Sequence, residues 1–287
     1  MCDDDIHVGL LVDPTVSRRT FGLMTIAAAG VAGSAHAAVP VVETDVMIKT
    51  SDGEADAALY RPEGKGKWPA VLLWTDVAAL RPTFREMGRR LAGEGYVVLV
   101  PNVYYRSKRA PVISAGFDFN KPEDRAMLLA MRATLTPEAV DRDAAAYVAF
   151  LDAQPQTNRK KKIGTQGYCM GGALAFRTAA IAPKRIAAVG SFHGGGLVTD
   201  KPDSPHLLLP KTRAEFLIAV ADNDDKTDPT VKDKLKTAMD AAHRPSKIVV
   251  FAGANHGWCV KGSAVYNEPQ AEKAWAELLA LYGRTLK

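Results

Sequence analysis

Short continuous apolar runs alternate along this chain with longer stretches whose apolar positions recur at helical spacing. Runs at 70–74, 96–100, 163–166, 186–192, 215–220 and 247–251 predict strands buried on both faces. Helical spacing predicts helices over 83–93, 137–151, 229–242 and 268–282, the last with a stripe of Ala271, Ala274, Trp275, Leu278 and Leu279. Two weaker runs, 46–48 and 57–60, flank Ser51-Asp52-Gly53 and predict a leading antiparallel pair. Strands that alternate with helices imply an α/β fold, a mostly parallel central sheet with helices on both faces. Residues 103–136 break the rhythm with Arg, Pro, Gly and Asp. They read as an irregular excursion over the carboxyl edge of the sheet, where open α/β sheets hold their ligands.

Composition narrows the class. At 287 residues and 47% hydrophobic, the chain can bury one large core in a single domain. The first residues read instead as a targeting segment. Ser17-Arg18-Arg19-Thr20-Phe21-Gly22-Leu23 is a twin-arginine pattern, an alanine-rich apolar stretch follows to Ala32, and Ala35-His36-Ala37 is a small-x-small cleavage site. Residues 1–37 are therefore expected to be a signal read by the twin-arginine translocation machinery, with residues 38–287 exported to the periplasm or beyond. The apolar stretch is too short for stable membrane insertion. Two Arg and four Asp leave with residues 1–37, so the formal charge moves from +5 to +7. That mild excess forms no stripe. Arg159-Lys160-Lys161-Lys162 reads as a solvated turn before a strand, not as a nucleic-acid site. Three cysteines are too few for a disulfide framework, and no His or Cys spacing suits a metal. No cofactor is implied.

The chemistry centres on Gly167-Tyr168-Cys169-Met170-Gly171, a nucleophile elbow with cysteine where serine is usual. A side chain lifted off a tight strand-to-helix turn sits in a strained backbone, and only glycine two before and two after leaves room for it. The helix begins under the nucleophile, so its unpaired N–H groups favour a thiolate and a developing oxyanion. Such a nucleophile needs a base, and the base an orienting acid. His256, in Ala254-Asn255-His256-Gly257, follows the last predicted strand and suits the base. Strand 215–220 runs into Ala221-Asp222-Asn223-Asp224-Asp225, where Asp224 is the expected orienter and Asp225 the alternative. His193, His206 and Trp258 sit in loops that can line a pocket.

Gly167-Tyr168-Cys169-Met170-Gly171-Gly172, the Asp224 turn, Ala254-Asn255-His256-Gly257 and the Arg-Arg-Leu-Ala-x-Glu-Gly-Tyr core of 85–101 together resemble the dienelactone hydrolase family of α/β-hydrolases, across most of residues 40–285. The resemblance implies a Cys169–His256–Asp224 triad that opens a small lactone or ester through an acyl-cysteine. It also implies an oxyanion hole from the backbone N–H groups of Met170 and Val77. In the family an acidic residue after the third strand holds the resting cysteine; Asp76 stands there, one methylene shorter than the family's Glu. A family arginine that pairs with the substrate carboxylate matches Arg106. A second family arginine position, four past the histidine, holds Val260 with Lys261 beside it.

Two other classes remain open at this point. An esterase or thioesterase of another acyl class keeps the triad and changes the pocket. A non-catalytic binding protein keeps the fold and loses triad geometry. After cleavage Cys169 and Cys259 remain, and two free thiols are expected in preference to a disulfide between them.

Overall fold

A computed structural model describes residues 39–114 and 116–287. The proposed signal segment, 1–37, lies outside the described residues. The sheet carries eight strands: β1 (Val41–Thr50), β2 (Gly53–Pro62), β3 (Ala70–Trp74), β4 (Val97–Pro101), β5 (Ile163–Tyr168), β6 (Ile186–Phe192), β7 (Glu215–Ala221) and β8 (Ser246–Phe251). Their order is β1-β2-β4-β3-β5-β6-β7-β8. The first hairpin is antiparallel, with Val46 opposite Ala57, and β2 pairs antiparallel with β4. Every pairing from β4 through β3 to β8 is parallel.

All five residues of β3 are buried, which explains its continuous apolar run. Because strand side chains alternate, Ala70, Leu72 and Trp74 enter one core and Val71 and Leu73 the other. The first core is closed by α2 (Pro122–Ala133), α3 (Pro137–Ala153), α4 (Met170–Ile181) and α6 (Thr230–Ala241). The second is closed by α1 (Pro82–Gly93) and α7 (Glu268–Thr285), which contribute Phe84 and Leu91, and Trp275 and Leu278, to one buried cluster. No described helix is long and apolar enough to cross a membrane. Arg159, Lys160, Lys161 and Lys162 are all exposed, as a solvated turn requires.

Two elements depart from the sequence expectation. Helix α2 lies inside the stretch read as irregular. Pro122 begins it, Glu123 and Asp124 occupy its first turn and Arg132 its last, in keeping with the helix dipole. Only Leu128 and Met131 are buried, too few to raise a recognisable stripe. The acidic turn after β7 is a short helix, α5 (Asp222–Thr227), with no buried residue.

Candidate active site

The carboxyl ends of β3, β5, β6, β7 and β8 converge, and each delivers a chemically active group. Cys169 follows β5 at φ 54° and ψ −124°, in the left-handed half of backbone space, and caps α4. Its neighbours show why glycine is needed. A Cβ on Gly167 would lie 1.9 Å from the Gly171 carbonyl oxygen, and one on Gly171 would lie 2.5 Å from that of Thr75. The backbone N–H of Cys169 donates to the Phe192 carbonyl at 3.0 Å and to Nδ1 of His193 at 3.1 Å.

His256 is 3% exposed. Its Nδ1 lies 2.7 Å from Oδ2 of Asp224, and the Cys169 side chain stands near enough to favour charge on the ring. The α5 turn allocates its other groups elsewhere. The Asn223 amide oxygen accepts from the His256 backbone N–H at 2.8 Å, Asp222 pairs with Lys226, and Asp225 pairs with Lys232. Asn223 is a site residue that the sequence pattern does not single out. Its only signal is an amide among carboxylates.

Burial opposes charge on the His256 ring, yet the Cys169 sulfur and the Asp224 carboxylate outweigh it and raise its pKa from 6.5 to about 10. The stability contributed by this pairing is complete below about pH 6.5 and is lost as pH rises through about 10. In an NMR titration the ring should titrate near 10. In Cys169→Ala, which removes the leading favourable partner, it should titrate lower; an unchanged midpoint would show that sulfur does not hold the proton.

Beside Cys169 opens a cavity of about 250 Å³, lined among others by Val77, Arg132, Val140, Met170, Leu174 and Lys201. Met170 is the first residue of α4, so its N–H has no acceptor within the helix. Val77, on the loop after β3, also lines the cavity.

Several expected contacts lie elsewhere. The Arg106 guanidinium forks onto Asp143, with contacts of 2.8 Å to each oxygen, and reaches Asp52 at 2.6 Å. It ties the β1–β2 turn to α3 and does not line the cavity. Two well-placed carboxylates outcompete an open position for a guanidinium. Asp76 is fully buried, but its oxygens take both guanidinium nitrogens of Arg81 at 2.5 and 2.7 Å and the Ala78 N–H at 2.9 Å. It shapes the Val77 loop and makes no hydrogen bond to the thiol among the described contacts. Trp258 is buried, stacked on Phe251 with ring centroids 5.2 Å apart, behind the site. His193 lies between Trp258 and His256, and His206 bonds Ser204 at 2.8 Å; neither lines the cavity. Val260 is buried and Lys261 pairs with Glu86 on the far side of the sheet. Cys259 is buried and free, as is Cys169. No group of three potential metal ligands occurs among the described residues.

Arg132 is a cation at the cavity that the sequence pattern does not mark. It sits inside 103–136, the stretch expected over the carboxyl edge, but on a helix. Its charge is felt at the buried Tyr104 hydroxyl, which lies 3.6 Å from the Met170 sulfur.

A mostly parallel sheet with a nucleophile elbow after β5, an acid after β7 and a histidine after β8 defines an α/β-hydrolase. The dienelactone hydrolase family matches residues 55–286, and the chain belongs to that family. It is a hydrolase of that type. A carboxymethylenebutenolidase of Rhodococcus opacus is 26% identical over 232 residues, covering 79% of this chain and 86% of its own. Among solved structures, a dienelactone hydrolase from Anabaena variabilis superposes with a TM-score of 0.62 at 20% identity, over 86% of this chain and 99% of its own. A dienelactone hydrolase-like promiscuous phosphotriesterase from metagenomic libraries reaches 0.68 at 18% identity, over 86% and 99%. These structures share the fold.

Proposed function

We propose that this hydrolase opens small lactones or esters through an acyl-cysteine intermediate. One observation carries the reading: the buried His256 ring pairs with Asp224 through Nδ1 at 2.7 Å, and the Cys169 side chain stands near enough to favour charge on that ring. The Cys169 sulfur attacks the acyl carbon, and the carbonyl electron pair moves to an oxyanion that accepts from the Met170 and Val77 N–H groups. As that pair returns, the acyl C–O bond breaks and the alcohol oxygen takes a proton from His256. Water then gives a proton to His256 and attacks the thioester, and the acid departs as Cys169 is restored. Asp224 holds the ring tautomer throughout. A cavity of about 250 Å³ suits a small acyl group.

A panel of lactones, aryl esters and thioesters tests this reading. Turnover of lactones or esters, with an acyl adduct trapped on the Cys169 peptide, is the expected result. A preference for thioesters would move the activity to another acyl class; no turnover anywhere would leave a binding protein.

Arg132, which lines the cavity with Arg177 and Lys201, is better placed than Arg106 to meet an anionic substrate group. Arg132→Ala should raise KM about tenfold for carboxylate-bearing lactones and leave neutral esters nearly unchanged. Arg106→Ala should instead cost about 3 kcal/mol of stability, because Asp143 is left buried without its cation. Thermal unfolding beside steady-state kinetics separates the two. A KM effect confined to Arg106→Ala would return the anion to the position the family resemblance implies.

Export through the twin-arginine route belongs to the same proposal. Arg18→Lys with Arg19→Lys should retain the protein in the cytoplasm with residues 1–37 uncleaved. Periplasmic appearance of that double variant would refute it.

A further inference from the structure

His193 does more in this structure than fill space. It follows β6 at φ 39°, a left-handed conformation that carries strain for any side chain other than glycine. Its backbone N–H donates to the Ala219 carbonyl at 2.8 Å, which ties the strained residue to β7. Cys169, at the end of the neighbouring strand, is strained in the same sense at φ 54°. Strained residues persist only where their surroundings over-determine them. The two meet directly: Nδ1 of His193 accepts from the Cys169 N–H, which also serves the Phe192 carbonyl.

The imidazole is 1% exposed, and its Nε2 has no hydrogen-bond partner among the described residues. A residue needed for packing alone would be apolar here, because a buried, half-satisfied imidazole costs free energy. The polar ring is explained if Nδ1 is required as an acceptor. Acceptance at Nδ1 places the proton on Nε2, the neutral tautomer. Burial, and then the charge on His256, hold the ring well below its ordinary pKa, so it stays neutral. Neutrality matters because the His256 ring lies 4.8 Å away, centroid to centroid, and a second cation there would oppose the imidazolium. Tyr168 and Trp258, at 6.0 and 5.2 Å, complete the cage.

We propose that His193 is a positioning residue of the site described above, a neutral acceptor that holds the Cys169 backbone in its reactive conformation and backs the His256 ring. The inference rests on Cys169 being the nucleophile, but its main test needs no substrate. Alkylation of Cys169 by iodoacetamide at pH 7, followed by mass spectrometry of the Cys169 peptide, reads the reactivity of the thiol alone.

His193→Phe keeps a buried ring and removes the acceptor; it should slow alkylation about tenfold. His193→Asn offers an amide oxygen near the position of Nδ1 and should recover to within about threefold of wild type. On any substrate the panel identifies, the Phe variant should lower kcat about tenfold and leave KM within twofold. If His193→Phe unfolds, His193→Met, flexible and without a strong acceptor, takes its place, with melting curves confirming the folded state. Wild-type alkylation in the folded Phe or Met variant overturns the proposal. So does an Asn variant as impaired as Phe, which would reduce the role of His193 to packing. Rapid wild-type alkylation with no turnover on the panel would defeat the hydrolase reading and leave the alkylation comparison to judge this one.

Discussion

Replacing Cys169 by alanine should lower turnover about a thousandfold or more, and His256→Ala should do the same. The two losses should not add in the double variant. The reason is geometric. The Cys169 side chain lies beside the ring and, with Asp224, favours its charge. Removing either partner removes the unit. Alanine at position 169 also leaves the backbone in place, since the strain at φ 54° arises from the turn and not from the thiol. Circular dichroism should therefore show a folded protein, and the loss should fall on kcat with KM little changed. More than a tenth of wild-type activity in Cys169→Ala would remove Cys169 from the chemistry.

Asp224→Asn should cost about a thousandfold as well, because the amide can present its N–H face to Nδ1 and favour the wrong tautomer. Asp225→Asn should be mild. The two carboxylates are neighbours, but Asp225 answers to Lys232 at 2.7 Å while Asp224 faces His256 at the same distance. Asp222→Asn should also be mild, its partner being Lys226 one helical turn on. The pH profile of Asp224→Asn separates a site defect from misfolding, since the basic limb of kcat/KM should move to lower pH while the melting temperature holds. A severe Asp225→Asn beside a mild Asp224→Asn would show that α5 is one residue out of register.

Much of the fold is legible in the order of the residues. Strands β3 and β4 announce themselves because they are buried on both faces, and nothing but a continuous apolar run survives there. Strand β1 is legible only at 46–48, since it lies at the sheet edge with exposed positions on both sides of that run. Helix α2 is not legible, because two buried residues make no stripe. The strain at His193 gives no sequence signal either; a histidine after a strand looks the same whether it accepts from a neighbouring elbow or faces solvent.

By itself, the sequence determined the elbow turn and the chain order of cysteine, acidic turn and histidine. The demand at Gly167 is local, since a Cβ there collides with the Gly171 carbonyl inside the same turn, whereas one at Gly171 meets the Thr75 carbonyl only because β3 packs beside the elbow. The tertiary structure decided which arginines line the cavity and which carboxylate meets His256. Arg106 is claimed by Asp143 and Asp52, 37 and 54 positions away in the chain, so the competition that withdraws it from substrate exists only once α3 packs beside the first hairpin. Asp76 lies five residues from Arg81, yet their pairing also depends on the loop conformation set as β3 ends beneath the elbow. Ionic partners are chosen by distance in space, and chain spacing carries no record of that choice.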